Sequence, residues 1–216
     1  ASRLKEFIKV AYLAEIKQKQ AELNALKSQI RPHYLYNTLE VIRMSAIMND
    51  ARPVADMIHS LSQQMEYVLD YGQNMVSVAQ ELEHVHHYFK LIQVRTDDMI
   101  QLEIIGLSGI PLECQVLKLS IQPLVENAVQ HGIWPTSNRG RIRIEFEVVQ
   151  EEILSVQVID DGTGMDEDKL DEVRRNLEER SIEHERKHVG LKNVHDRLRT
   201  MFGDSCGLVI NSKQHI

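Results

Sequence analysis

The sequence predicts an α+β protein, a helical first half followed by a mixed second half, with the boundary near residue 97. Two patterns carry that reading. Ahead of the boundary, apolar residues recur at three- and four-residue spacing, as on one face of a helix. Behind it, Arg141-Ile-Arg-Ile-Glu-Phe-Glu-Val alternates charged and apolar residues with period two, the mark of a half-exposed strand.

From Leu4 to Ile30 the chain has no Gly or Pro, and Ala, Leu, Lys, Glu and Gln dominate, which predicts a helix. Leu23, Leu26 and Ile30 follow a 3-then-4 spacing, as on a coiled-coil seam. A second helix is expected from about Pro53 to Tyr71, with Pro53 in the first turn and Val54, Met57, Ile58, Leu61, Met65, Val68 and Leu69 on one face. A third follows from about Ser77, with Val78, Leu82, Val85, Phe89 and Ile92 facing inward. Together they read as a bundle, or as half of one completed by a second subunit. Beyond the boundary, Met99 to Ile105 reads as a short strand ended by the Gly106 to Pro111 turn cluster, and Leu117 to Ile133 as a buried helix. Ile153 to Ile159 is a further strand, followed at once by Asp160-Asp-Gly-Thr-Gly. From Asp166 to Lys187, 15 of 22 residues are charged, so a solvated helix or mobile segment is expected there rather than core. Gly190 to Phe202 reads as a helix and Gly207 to Asn211 as a last strand.

Composition narrows the function classes. Lys plus Arg number 25 against 32 Asp plus Glu, a formal charge of −7, which argues against binding nucleic acid or an anionic membrane surface. Cys114 and Cys206 make no disulfide framework and point to a reducing compartment. No apolar run approaches the ~20 residues of a membrane span, and no signal peptide opens the chain. The chain opens in mid-helix with Ala-Ser-Arg-Leu-Lys-Glu, so a fragment of a longer protein is expected.

Four segments could carry chemistry. In Gln29-Ile-Arg-Pro-His33-Tyr-Leu-Tyr-Asn37, Pro32 interrupts a helical pattern at a cost of ~3 kcal/mol or more and re-aims the side chain that follows. That side chain is His33, with Asn37 one turn further on the same face. An imidazole nucleophile needs one ring nitrogen free and the other held. Taken alone, a Pro-marked helix boundary with an incidental His is the simpler reading. In Gln122-Pro-Leu-Val-Glu126-Asn127-Ala-Val-Gln130-His131-Gly, Asn127 and His131 share one helical face and Glu126 and Gln130 the next. Polar groups on a buried helix are costly unless satisfied, and an amide oxygen is a fair Mg²⁺ ligand when phosphate oxygens supply the rest. In Asp160-Asp-Gly162-Thr-Gly164, an Asp ending an apolar strand can accept from an exocyclic amine while the glycines admit close backbone approach. The same residues would also suit an ordinary turn. Gly190-Leu191-Lys-Asn-Val opens a helix, whose unpaired amides attract phosphate, or is simple helix initiation. His184-Glu185-Arg-Lys-His188 matches a zinc-protease pattern, yet lies in the most charged stretch and is read as coincidence. His84, His86 and His87 are read as a solvated face rather than a metal site.

In order and spacing, these segments resemble the LytS/YesM-type sensor histidine kinases from about Leu26 to Leu208. The phrase Gln-Ile-Arg-Pro-His-Tyr-Leu-Tyr-Asn-Thr-Leu at 29–39 is similar to that family's phosphoacceptor box. The resemblance implies a coiled-coil signalling helix and helical dimerisation and phosphoacceptor domain over 1–97. It implies an α/β-sandwich ATP-binding domain of the gyrase, chaperone and histidine-kinase (GHKL) superfamily over 98–216, its C-terminal strand truncated. Carried over, His33 would be the phosphoacceptor, with Asn37 and Glu126 as catalytic partners, and Asn127 the Mg²⁺ ligand. Asp160 would hold the adenine amino group, Gly162 and Gly164 would shape its pocket, and Gly190 would open the phosphate-side helix. His131 and Leu191 complete the nucleotide-binding set, and residues 166–189 would form an ATP lid. Implied cofactors are ATP and Mg²⁺. Implied partners are a second copy of the chain and a response-regulator receiver domain, with the membrane reached only through a part ahead of Ala1. That makes the chain the cytoplasmic fragment of a bacterial cell-membrane protein.

Four residues depart from the family pattern. Tyr34 follows the phosphoacceptor where many relatives have an acid, and Pro123 stands where ATPase relatives place a catalytic Glu. Gln130 and His188 replace a basic residue and a Gly, removing phosphate-facing contacts. The alternatives are therefore a catalytically degenerate dimeric scaffold or a GHKL-type ATPase clamp.

Overall fold

The computed structural model describes residues 18–19, 32–70, 72–136, 138–149, 153–179 and 189–214. The coiled-coil seam, the His184/His188 pattern and residues 180–188 of the expected lid lie outside these.

Helix α1 (Pro32–Met48) and helix α2 (Arg52–Leu69) form an antiparallel hairpin, turned through Asn49 and Asp50, the latter at φ 54°. Pro53 sits in the first turn of α2, where its missing N–H costs nothing. Ala55 and Ser60 are buried, whereas Val41, Ile42, Met44, Ile47 and Met48 of α1 and Val54, Met57, Leu61 and Val68 of α2 are exposed. Strand β1 (Met75–Ser77) leads into α3 (Val78–Arg95), which begins with a capping box: Gln80 N–H donates to Ser77 Oγ and Ser77 N–H to Gln80 Oε1.

The second half is built on β2 (Ile100–Ile105), β4 (Gly140–Val149) and β5 (Ile153–Asp160), in the order β2-β4-β5. Strands β2 and β4 run parallel, β4 and β5 antiparallel. Strand β3 (Gln115–Leu117) pairs antiparallel with β1 in a separate ribbon. Ile142, Ile144 and Phe146 occupy the buried positions of β4, as period two requires. Helices cover that face. Helix α4 (Gln122–Asn127, continued by a π-helical turn at Ala128–Ile133) contributes Val125, Ala128, Val129 and Ile133. Helix α3 contributes Val78, Val85, Phe89 and Ile92, so its inner face belongs to the core of the second half. Helices α5 (Glu167–Glu178) and α6 (Val189–Phe202) complete the layer. Among the described residues no helix is long and apolar enough to cross a membrane.

Four expectations are corrected. Leu117 to Ile133 is not one helix: the chain leaves β3, places Leu119 at φ 57°, and turns helical only at Gln122, with Pro123 in the first turn. The charged stretch after Asp166 takes the helical of its two expected forms over 167–178, capped by the Asp166 carboxylate, but it buries Leu170, Val173 and Leu177 at intervals of three and four where no core was expected. Charge count alone hid that stripe. Gly207 to Asn211 forms no strand, because its polar backbone groups are met by side chains. Leu208 N–H donates to His195 Nδ1 at 3.1 Å, and Ile210 O accepts from Arg174 at 2.8 and 3.0 Å. His84 is buried rather than solvated, stacked on Tyr67 with ring centroids 4.0 Å apart.

Candidate functional site

Asp160 ends β5, and glycines surround its carboxylate. Oδ1 accepts the Gly162 N–H at 3.0 Å, which turns the chain sharply out of the sheet. A Cβ on Gly132 would overlap that carboxylate, and a Cβ on Gly162 would overlap the Gly132 carbonyl. The loop after β5 therefore lies backbone to backbone against the end of α4. Thr163 N–H donates to Gly132 O at 3.0 Å and Thr163 Oγ1 to His131 O at 3.4 Å. Gly164 has φ +67°, and a Cβ there would run into the Lys213 carbonyl. The same loop is tied to the C-terminal segment by Met165 N–H donating to Ser212 Oγ at 2.9 Å. Asp161 serves the sheet instead, its Oδ1 accepting the Arg141 N–H at 2.6 Å.

In α4, Gln122 Nε2 donates to Glu126 Oε1 at 2.6 Å, and Glu126 and Asn127 are half-buried. The helix then widens: Trp134 N–H reaches back five residues to Val129 O at 2.9 Å. The i, i+4 spacing that puts Asn127 and His131 on one face holds for an α-helix and is broken by that turn, which leaves His131 exposed. Asp160, Gly162, Thr163, His131 and Gly132 thus meet at one place, with Asn127 on the helix that leads into it.

His33 and Asn37 lie on the exposed face of α1, one turn apart, with Asn37 Nδ2 3.3 Å from His33 Nδ1. Gly190 is exposed in the first turn of α6, with open space where a Cβ would sit, while Leu191 is buried.

The first part of the chain, residues 21–100, matches the family model described as histidine kinase. Residues 115–214 match the model described as histidine kinase-, DNA gyrase B-, and HSP90-like ATPase. The chain belongs to the histidine kinase family. It is 30% identical over 195 residues to the sensor histidine kinase YesM of Bacillus subtilis, covering 90% of this chain and 32% of that protein. A sensor-like histidine kinase of Staphylococcus epidermidis is 31% identical over 92% of this chain and 38% of its own length. The sensor protein kinase HptS of Staphylococcus aureus is 29% identical over 94% and 38%. The chain spans about a third of the length of these curated relatives.

Within this histidine kinase chain, the sequence reading missed three residues that build the site. Gly132 falls within the helix expected over Leu117 to Ile133, with no role of its own there, yet its bare Cα is what admits Asp160. Arg197 donates to Lys118 O at 2.6 Å and to Leu119 O at 3.4 Å, holding the turn before α4. Glu81 is fully buried. The signal for it was present: Glu81 lies three residues after Val78 and four before Val85, a carboxylate on an apolar face.

Burial pushes the His84 imidazole down to about 4 from its ordinary 6.5, with His87 and Lys118 adding to the effect and Gln122 opposing it. The unfolded chain binds that proton more readily than the folded one, so this contribution is intact above pH 6.5 and is lost as pH falls toward 4. The loss should amount to on the order of 3 kcal/mol between pH 7 and pH 4. Denaturant titrations across that range check it, and His84→Phe should flatten the slope.

Proposed function

We propose that the chain is the kinase core of a dimeric sensor histidine kinase. Mg-ATP would be the phosphoryl donor, His33 the acceptor, and an Asp of a response-regulator receiver domain the next recipient. The observation that carries the reading is Asp160, a carboxylate at a strand end, walled by Gly132 and Gly162. A carboxylate has about four acceptor positions. Oδ1 receives the Gly162 N–H, and the proposed role of the carboxylate is to accept from the adenine amine as well. Glycine at 132 and 162 lets the loop after β5 pack closely against the end of α4, which fixes the Asp160 carboxylate at the strand end.

The other residues take roles that follow from where they sit. Asn127, half-buried on the helix leading to the pocket, is the proposed Mg²⁺ ligand, its amide oxygen suited to a hard cation. His131, Gly164, Gly190 and Leu191 are the proposed remainder of the nucleotide site, with the amino-terminal turn of α6 toward the phosphates. Bound ATP would supply the γ-phosphoryl group. His33 would form the N–P bond as the bridging P–O bond breaks and ADP leaves. The ring proton then needs an acceptor, and Glu126 is the proposed one. Phosphoryl transfer asks a protein mainly for position and charge neutralisation, which fits a site with few reactive groups.

Residues 1–97 are proposed as the signalling and dimerisation region and 98–216 as the ATP-binding region, with α3 of the first packed into the core of the second. Supporting the first is the exposed apolar row on α1 and α2, which a second hairpin would cover. The whole protein is proposed to be anchored in a bacterial membrane by a part outside this chain.

The test is incubation with Mg²⁺ and γ-labelled ATP. Acid-labile, alkali-stable label is expected. Asp160→Ala should weaken nucleotide binding by about 100-fold and remove the label, because it deletes a charged acceptor. Parent-like nucleotide affinity in Asp160→Ala would overturn the pocket, and a parent chain with neither label nor nucleotide binding would favour the scaffold alternative.

A further inference from the structure

The four-residue turn ahead of α4, Lys118 to Ile121, is gripped from three sides. From α3, the Glu81 carboxylate accepts four donors. Oε1 takes Leu119 N–H at 2.7 Å and the Tyr67 hydroxyl at 2.5 Å, and Oε2 takes Ser120 and Ile121 N–H, each at 3.1 Å. From α6, Arg197 holds the Lys118 and Leu119 carbonyls. From the end of α2, Asp70 O accepts from Lys118 Nζ at 2.5 Å, and that ammonium also lies 4.6 Å from the centroid of the Tyr67 ring.

This arrangement is more than a helix cap. The residue at the start of α4, Ile121, has no side-chain cap of its own, so its amide and the two before it depend on a carboxylate forty residues away in sequence. Leu119 is held at φ 57°, a conformation a branched side chain adopts only when its surroundings fix it. A carboxylate with no exposed surface is tolerated because all its partners are donors. One of those donors, Tyr67, belongs to α2, the second helix of the hairpin whose first helix carries His33. Burial and the Glu81 hydrogen bond push the Tyr67 phenol well above its ordinary value, so it remains a donor.

We propose that Glu81 is a positioning residue that sets the nucleotide-binding helix and, through Tyr67, couples its orientation to the phosphoacceptor hairpin. The functions given to the two elements, the nucleotide Kd and the labelling rate rest on the kinase reading, whereas the joint through Tyr67 and Glu81 does not. If the hairpin tilts, Tyr67 leaves Glu81, the carboxylate loses one of its four donors, and the turn leading to Asn127 loosens. A signal reaching the hairpin would thereby change how often the pocket is set for transfer, without touching the bound base.

Tyr67→Phe removes only the hydroxyl, and Glu81→Gln keeps the outline while turning one acceptor into a donor that faces amides. For Tyr67→Phe, nucleotide Kd should stay within about twofold of the parent while His33 labelling at saturating ATP falls about tenfold, the worth of one hydrogen bond to a charged group. Amides 119–121 should exchange with deuterium about tenfold faster in Tyr67→Phe and faster still in Glu81→Gln, with β4 amides unchanged. A Tyr67→Phe chain with parent labelling and parent exchange at 119–121 overturns the coupling. So does one in which Kd and rate fall together with β4 protection, since that is general destabilisation. If the parent chain takes no label, the kinase reading fails while the exchange comparison still decides the joint.

Discussion

Gly162→Ala is expected to abolish nucleotide binding at the Asp160 pocket and to destabilise the second half by about 3 kcal/mol, the upper end for overpacking. The added methyl would overlap the Gly132 carbonyl, a backbone group that cannot rotate away. Relief requires the loop after β5 to lift, and that breaks the Thr163 N–H to Gly132 O bond and moves Asp160 with it. Gly132→Ala is a milder test of the same contact. Its methyl meets the Asp160 side chain, which can turn away at the cost of its hydrogen bond to Gly162, so about 1 kcal/mol and a weaker site are expected. Gly190→Ala meets nothing within 4 Å and should be neutral or slightly stabilising, since alanine is the better helix former. Denaturant midpoints and nucleotide titrations of the three variants order them. A Gly162→Ala chain that binds nucleotide like its parent would show that the pocket is not there.

Local patterns made most of the fold legible. The alternation through Arg141 to Val148 and the Ser77-to-Gln80 cap are written in consecutive residues, and β4 and α3 appear where those residues put them. What was not legible depends on partners far apart in sequence. Leu208 to Ser212 has the composition of a strand, but whether it becomes one depends on a neighbouring backbone, and here His195, Arg174 and Met165 take its polar groups first. The widening of α4 after Asn127 likewise has no signature in residue type. Within the site, Asp160 and Gly162 stood out because a carboxylate and a glycine after an apolar strand are locally informative. Gly132 did not, because the reason for its bare Cα is a side chain twenty-eight residues later. Arg197 has no local signature, because its purpose is two carbonyls on another element.

His33→Gln is expected to reduce phosphorylation to background and leave nucleotide affinity and fold unchanged. His33 is exposed on α1, and glutamine is a good helix former, so stability should move by less than about 0.5 kcal/mol. The nucleophile itself disappears, which is why the effect on label is total. Asn37 sharpens the prediction. With Nδ2 toward His33 Nδ1 at 3.3 Å, the amide donates and the ring proton sits on Nε2, where it must be removed for attack. Turned about its last torsion, the same amide offers Oδ1 to an Nδ1–H and leaves the Nε2 lone pair facing solvent. Asn37→Asp can act only in the second way, because a carboxylate has no proton to give. If attack is through Nε2, Asn37→Asp should keep or raise the labelling rate while Asn37→Ala lowers it severalfold. Label retained at full stoichiometry in His33→Gln would move the acceptor to another histidine and take the role of Asn37 with it.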